Sequence, residues 1–123
     1  MSENKDDDPV CRAAVDQALQ AIGGKWSYDV ISRLYYGPQR FNQLRRALGG
    51  ITVKSLTDAL RQLERQGIVR REVLPSMPVS VEYSLTEKGK DFRDVLLRMR
   101  VWGEKWLPGE KDEKDEKDEN AEG

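Results

Sequence analysis

The chain has 123 residues, 37% of them apolar and 35% charged, enough for one hydrophobic core but wetter than most globular domains. Its net charge of −1 hides a pattern: residues 10–107 hold seventeen basic against ten acidic side chains, residues 1–9 carry four acids to one Lys, and residues 108–123 carry eight acids to three Lys. One Cys and no His exclude an intrachain disulfide, an ordinary zinc site and any His-activated nucleophile. No apolar run approaches the roughly 20 residues of a membrane span, and the polar, acidic residues 1–8 do not read as a secretory leader. A lone Cys without an export signal leads to the expectation of a cytoplasmic protein.

Residues 111–119 repeat Lys-Asp-Glu three times and offer nothing apolar to bury. Residues 108–123 are therefore expected to be a solvated, low-complexity acidic tail, disordered or a frayed helix, residues 1–8 a disordered acidic N-terminus, and residues 9–107 the folded domain. Such a tail either mimics phosphate beside the basic body or serves solubility alone. Asp8-Pro9 has the form of an N-cap followed by a first-turn proline. Cys11, Val15, Ala18, Leu19 and Ile22 then recur at helical spacing up to Gly23-Gly24. A second helix over 26–35 carries Trp26, Val30, Ile31 and Leu34, and Gly37-Pro38 breaks it. A third, over 41–48, turns Phe41, Leu44 and Leu48 inward and Asn42, Gln43, Arg45 and Arg46 outward before Gly49-Gly50.

The fourth helix is expected to start after Thr52 as N-cap and to stop at Gly67 as the glycine beyond its C-cap. Val53, Leu56, Leu60 and Leu63 share one side of it; Lys54, Ser55, Thr57, Asp58, Arg61 and Arg65 are left for the other. A strand over 68–74 leads through Pro75-Ser76-Met77-Pro78 into a second strand, where Val79, Val81, Tyr83 and Leu85 alternate with Ser80, Glu82 and Ser84. Thr86 caps a long last helix bearing Phe92, Val95, Leu96, Met99, Trp102 and Trp106.

Three helices, a hairpin and a helix are the element order of an α+β, mainly helical fold, the winged helix-turn-helix, with further helices at both ends. In that architecture the helix before the hairpin enters the major groove of DNA, and the side chains on the outward face of 52–66 can contact phosphates and base edges. Asp58 is the exception there; it repels phosphate and is left to accept from a cytosine amino group or to orient Arg61. Asn42, Gln43, Arg45 and Arg46 either hold backbone phosphates or only solvate their helix. Arg70 and Arg71 on the first hairpin strand are candidate phosphate contacts. The large aromatic surfaces of Phe92, Trp102 and Trp106, with Met99, are costly to leave wet and favour a second copy of the chain as their cover.

Several stretches resemble the HxlR-type transcriptional regulators, relatives of the MarR group: Ile22-Gly23-Gly24-Lys25-Trp26, Gly37-Pro38-Gln39-Arg40-Phe41-Asn42-Gln43-Leu44-Arg45, Gly50-Ile51-Thr52, Leu60-Arg61-Gln62-Leu63-Glu64, Gly67-Ile68-Val69 and Val81-Glu82-Tyr83-Ser84-Leu85-Thr86-Glu87-Lys88-Gly89. The matches are collinear from about Cys11 to Trp106. The resemblance implies a homodimer on double-stranded DNA with a pseudo-palindromic operator, the fourth helix reading the groove. It implies that the first and last helices form the dimer interface, here through Val15, Leu19, Phe92, Leu96, Met99, Trp102 and Trp106. It also implies a small-molecule or electrophile effector, sensed in many members by a Cys at the position of Cys11. Two departures stand out: Arg12 follows that Cys where the family often has Pro, and Ser80 replaces the usual basic residue at the wing tip.

Cys11 admits two readings. It shares the apolar stripe with Val15, which suits an inert packed thiol; it also lies in the first helical turn beside Arg12, which suits a reactive one. With no second Cys, oxidation gives only a bridge to the Cys11 of another copy or a mixed disulfide with a small thiol. An aromatic pocket near Trp26, Tyr28 and Trp102 is another place for an effector. No metal or cofactor is expected, nor an enzyme, since nothing pairs the carboxylates, Lys or lone Cys into catalytic machinery. The alternative function is a winged-helix module that binds protein rather than DNA.

Overall fold

The computed structural model describes residues 8–108, so both expected acidic segments lie almost wholly outside the described residues. The elements in chain order are α1 (Pro9–Ala21), α2 (Ser27–Tyr35), β1 (Gln39–Arg40), α3 (Phe41–Ala47), α4 (Val53–Arg65), β2 (Val69–Leu74), β3 (Ser80–Leu85) and α5 (Glu87–Trp106). They form a winged helix: five helices and one small antiparallel sheet of order β1-β3-β2. The chain divides into two compact units at Arg93/Asp94, the first carrying α1 to the early turns of α5 and the second the remainder of that helix.

Local chemistry explains most boundaries. Asp8 Oδ1 accepts from the Val10 amide at 2.8 Å, and Pro9 needs no partner for a donor it lacks, so α1 starts there. Thr52 Oγ1 accepts from the Ser55 amide at 3.0 Å to open α4. Gly67 follows the C-cap with φ of 75°, a left-handed conformation that favours glycine, and it lets the chain turn into β2. Thr86 opens α5 by accepting from the Gly89 amide at 3.0 Å, while its own amide donates to the Ile68 carbonyl at 3.0 Å. One threonine thus starts a helix and ties it to the strand before the wing.

The core of the first unit is apolar and continuous in type: Val30, Ile31 and Leu34 of α2, Leu44 of α3, Leu56, Leu60 and Leu63 of α4, and Ile68, Val69 and Leu85 of the wing root are all buried. Gln66 at the end of α4 donates from Nε2 to the Gln20 carbonyl of α1 at 2.8 Å. The guanidinium of Arg93 stacks 3.5 Å from the centroid of the Tyr35 ring, joining the start of α5 to α2.

Four expectations need correction. Val53 is half-exposed, and Ala59 takes the place expected for it in the buried stripe of α4, because the first turn of a helix projects beyond the layer it packs on. Val79 is exposed in the turn before β3, so the alternation expected from 79 holds only weakly on a sheet too narrow to have a fully buried face. The two-residue strand β1, which pairs Gln39 with Tyr83 and Arg40 with Glu82, was not anticipated. Phe92 and Leu96 are only 8% and 5% exposed within the single chain, so each has little surface left for a partner.

Candidate nucleic-acid interface

The turn between α3 and α4 builds the first part of the site. Leu48 ends α3, Gly50 adopts φ of 83°, and Ile51 is buried, so the chain reverses in a few residues and presents α4 beside α3. Arg45 Nε donates to the Ile51 carbonyl at 3.4 Å across this turn. Gln43 Oε1 accepts from the Arg40 amide at 2.9 Å and so closes the first turn of α3. These two expected contact residues therefore also support the turn and helix that hold the others. Asn42, Arg45 and Arg46 line an open cleft of about 550 Å3 with the Gly49-Gly50 turn and the start of α4.

On α4 the apolar stripe is buried and the opposite face is open: Lys54, Asp58, Arg61 and Arg65 are exposed, Ser55 and Thr57 half-buried. Asp58 does not orient Arg61. Its Oδ2 lies 3.1 Å from Lys54 Nζ, one turn back toward the helix start. Arg70 and Arg71 are exposed on β2, opposite Ser84 and Tyr83 of β3. The tip carries no cation; Ser80 Oγ instead lies 3.1 Å from Ser76 Oγ, which donates to the Pro78 carbonyl at 2.8 Å, so Ser80 stiffens the tip.

Arg40 is the basic residue that sequence reasoning passed over. With Asn42, Gln43, Arg46, Val79 and Ser80 it lines a second open cleft, about 460 Å3, between the start of α3 and the wing. Its position follows from β1, which pairs Arg40 with Glu82 of β3, while Glu82 faces Glu72 of β2 on its other side. A two-residue strand after Gly37-Pro38 has no periodicity by which to detect it. The expected aromatic pocket changes membership as well. Trp26 lines a groove of about 370 Å3 with Asp29, Ser32, Arg33, Tyr36, Ala47 and Leu48; neither Tyr28 nor Trp102 lines it.

Outside this face, α1 buries only Ala21; Val15 and Leu19 are 57% and 56% exposed, and Cys11 is half-buried. In the second unit Met99, Trp102 and Trp106 are exposed, Trp102 by 69%. Among the described residues no group of three His, Cys, Asp or Glu could hold a metal ion, and no helix is long and apolar enough to cross a membrane.

The profile of the HxlR-like helix-turn-helix family matches residues 21–111. The chain is 46% identical over 92 residues to the uncharacterized HTH-type transcriptional regulator YdeP of Bacillus subtilis strain 168, covering 75% of this chain and 72% of that one. Among solved structures it is similar to the redox regulator HypR in its oxidized form, with TM-score 0.67, 44% identity, and coverage of 75% of this chain and 95% of that one. It is also similar to the reduced form of the transcriptional regulator YodB from B. subtilis, with TM-score 0.68, 35% identity, and coverage of 80% and 92%. YodB has been solved after diamide treatment too, and that structure matches with TM-score 0.67.

Proposed function

This chain belongs to the HxlR-like helix-turn-helix family of transcriptional regulators, and on that premise we propose that it binds DNA sequence-specifically as a homodimer on a pseudo-palindromic site. The observation that carries the reading is α4 itself, a helix with one buried apolar stripe and an open face bearing Lys54, Arg61 and Arg65, set between a Gly-Gly turn and a hairpin. Arg61 is assigned base contact, with Ser55 and Thr57 beside it; Arg65, Arg70, Arg71, Asn42, Gln43 and Arg45 are assigned to the backbone. The dimer is supported by apolar surface left open in each unit: Val15 and Leu19 in the first, Met99, Trp102 and Trp106 in the second. At about 25 cal/mol per Å2, covering several such side chains contributes several kcal/mol before entropy costs. The two recognition helices would then meet successive major grooves about 34–36 Å apart.

Binding of the purified chain to the DNA upstream of its own gene, at about 50 and 200 mM salt, tests this. Affinity should fall at least a hundredfold between those concentrations, because releasing counterions into more concentrated salt gains less entropy. Arg61→Ala should change base preference as well as affinity; Arg71→Ala should weaken all sequences alike and lower the salt slope by about 1. A uniform loss from Arg61→Ala would remove its base-reading role. No salt-dependent affinity for any duplex, with a protein partner recovered instead, would favour the protein-binding alternative.

A thiol switch at Cys11 is the accompanying regulatory reading. It is supported by the likeness to HypR and YodB and by a half-buried Cys11 on a mostly exposed helix. Two Cys11 thiols would join as a disulfide while diamide is reduced to its hydrazine, taking up both protons and both electrons. Diamide should alter DNA affinity by tenfold or more in the wild type and leave Cys11→Ser unchanged. Indifference of the wild type to diamide would return Cys11 to packing.

A further inference from the structure

Residues 53–60 of α4 hold one base, Lys54, and one acid, Asp58. They sit one helical turn apart on the exposed face, and the Lys54 ammonium is 3.1 Å from the Asp58 carboxylate. The leading part of α4, the part a recognition helix sets against base edges, is therefore electroneutral, and Arg61 and Arg65 follow behind it. A face built only to hold phosphates has no use for this carboxylate. It is repelled by every phosphate, and it occupies the one lysine that would otherwise be free to meet them.

The chemistry of base edges gives the pair a use. In the major groove a carboxylate is best satisfied by the N4 amino group of cytosine, and an ammonium by O6 and N7 of guanine. A G·C base pair presents both at once. Resting on the DNA binding proposed above, we infer that Lys54 and Asp58 jointly read one G·C pair in each half-site. There the intrahelical pair opens, Lys54 donating to guanine and Asp58 accepting from cytosine. At a thymine or a phosphate the carboxylate finds no donor, the pair stays closed, and the register is rejected. Asp58 is thus a specificity residue that acts mainly by penalising wrong sites, in the manner of charges that exclude wrong partners at other interfaces.

The test is selection of binding sites by the full chain from a pool of randomised duplexes, with wild type, Asp58→Asn and Asp58→Ala, together with affinity for a single non-selected duplex. The wild type should enrich sites with a G·C pair at one symmetric position per half-site. Asp58→Ala should lose that preference and bind the non-selected duplex about tenfold more tightly, the scale of one charged base contact. Asp58→Asn should move the preference toward adenine, whose N6 and N7 an amide satisfies together. A purely structural role for Asp58 would not move base preference. If the wild type selects a site and both variants select the same one with unchanged non-selected affinity, the inference fails and DNA binding stands. If the wild type selects no site from the pool, both fall together.

Discussion

Gly89→Ala should destabilise the protein by about 3 kcal/mol and lower the melting temperature by about 15 °C. The sign is the opposite of the usual one, since Ala ordinarily stabilises a helix by about 1 kcal/mol relative to Gly. A Cβ on Gly89 would clash with the Ile68 carbonyl oxygen and lie 3.2 Å from Leu85 Cδ2. That carbonyl cannot withdraw freely, because it accepts from the Thr86 amide at 3.0 Å, while Thr86 Oγ1 donates to the neighbouring Gly67 carbonyl and accepts from the Gly89 amide. Relieving the clash breaks the device that starts α5 and fastens it to the wing root. Gly103→Ala in the same helix is the contrast within a protomer: among the described residues no atom outside the local helix backbone lies within 4 Å of the added Cβ, so for the protomer it should stabilise by about 0.5–1 kcal/mol. Thermal unfolding of the two variants measures both. A Gly89→Ala protein as stable as wild type would mean that α5 and β2 pack more loosely than described.

On the proposed homodimer, Leu19→Asp should leave the protomer folded, yield a monomer, and cost at least a hundredfold in DNA affinity. Leu19 is 56% exposed on a helix of which only Ala21 is buried, so a carboxylate there costs the protomer little. Across a twofold interface the same substitution would bury two unpaired charges. Two linked recognition helices gain an effective concentration that a monomer lacks, worth 10²–10⁴ in affinity. Sedimentation at micromolar concentration, circular dichroism and DNA titration read the three effects separately. A variant that stays dimeric with wild-type affinity would place the interface elsewhere than on α1.

How far these features could be read beforehand depended on the range of the interaction behind them. The start of α1 at Asp8-Pro9, the start of α4 at Thr52, its end before Gly67 and the start of α5 at Thr86 each rest on groups a few residues apart, and all were legible. So was the order of helices and hairpin, with the outward face of α4 carrying Lys54, Asp58, Arg61 and Arg65. What was not legible depended on partners distant in sequence. The strand β1 exists because β3 offers it a free edge, and two residues cannot announce that in advance. The apolar positions of α5 form one stripe in the sequence, yet Phe92 and Leu96 are buried while Met99, Trp102 and Trp106 are exposed. Helical periodicity says which side chains share a face; it is silent on where along the helix the cover stops.

The winged-helix order, the caps that punctuate it, and the basic body between acidic ends can be read from the amino acids alone, because propensity, capping and charge are properties of short segments. Three further features emerge once the chain is packed: Gly89 must lack a side chain against Ile68, Arg40 joins the cleft beside the wing, and Asp58 is paired with Lys54 rather than Arg61. The first two depend on backbone brought together from distant segments. The third depends on which of two neighbouring cations the carboxylate reaches, a choice that spacing alone leaves open.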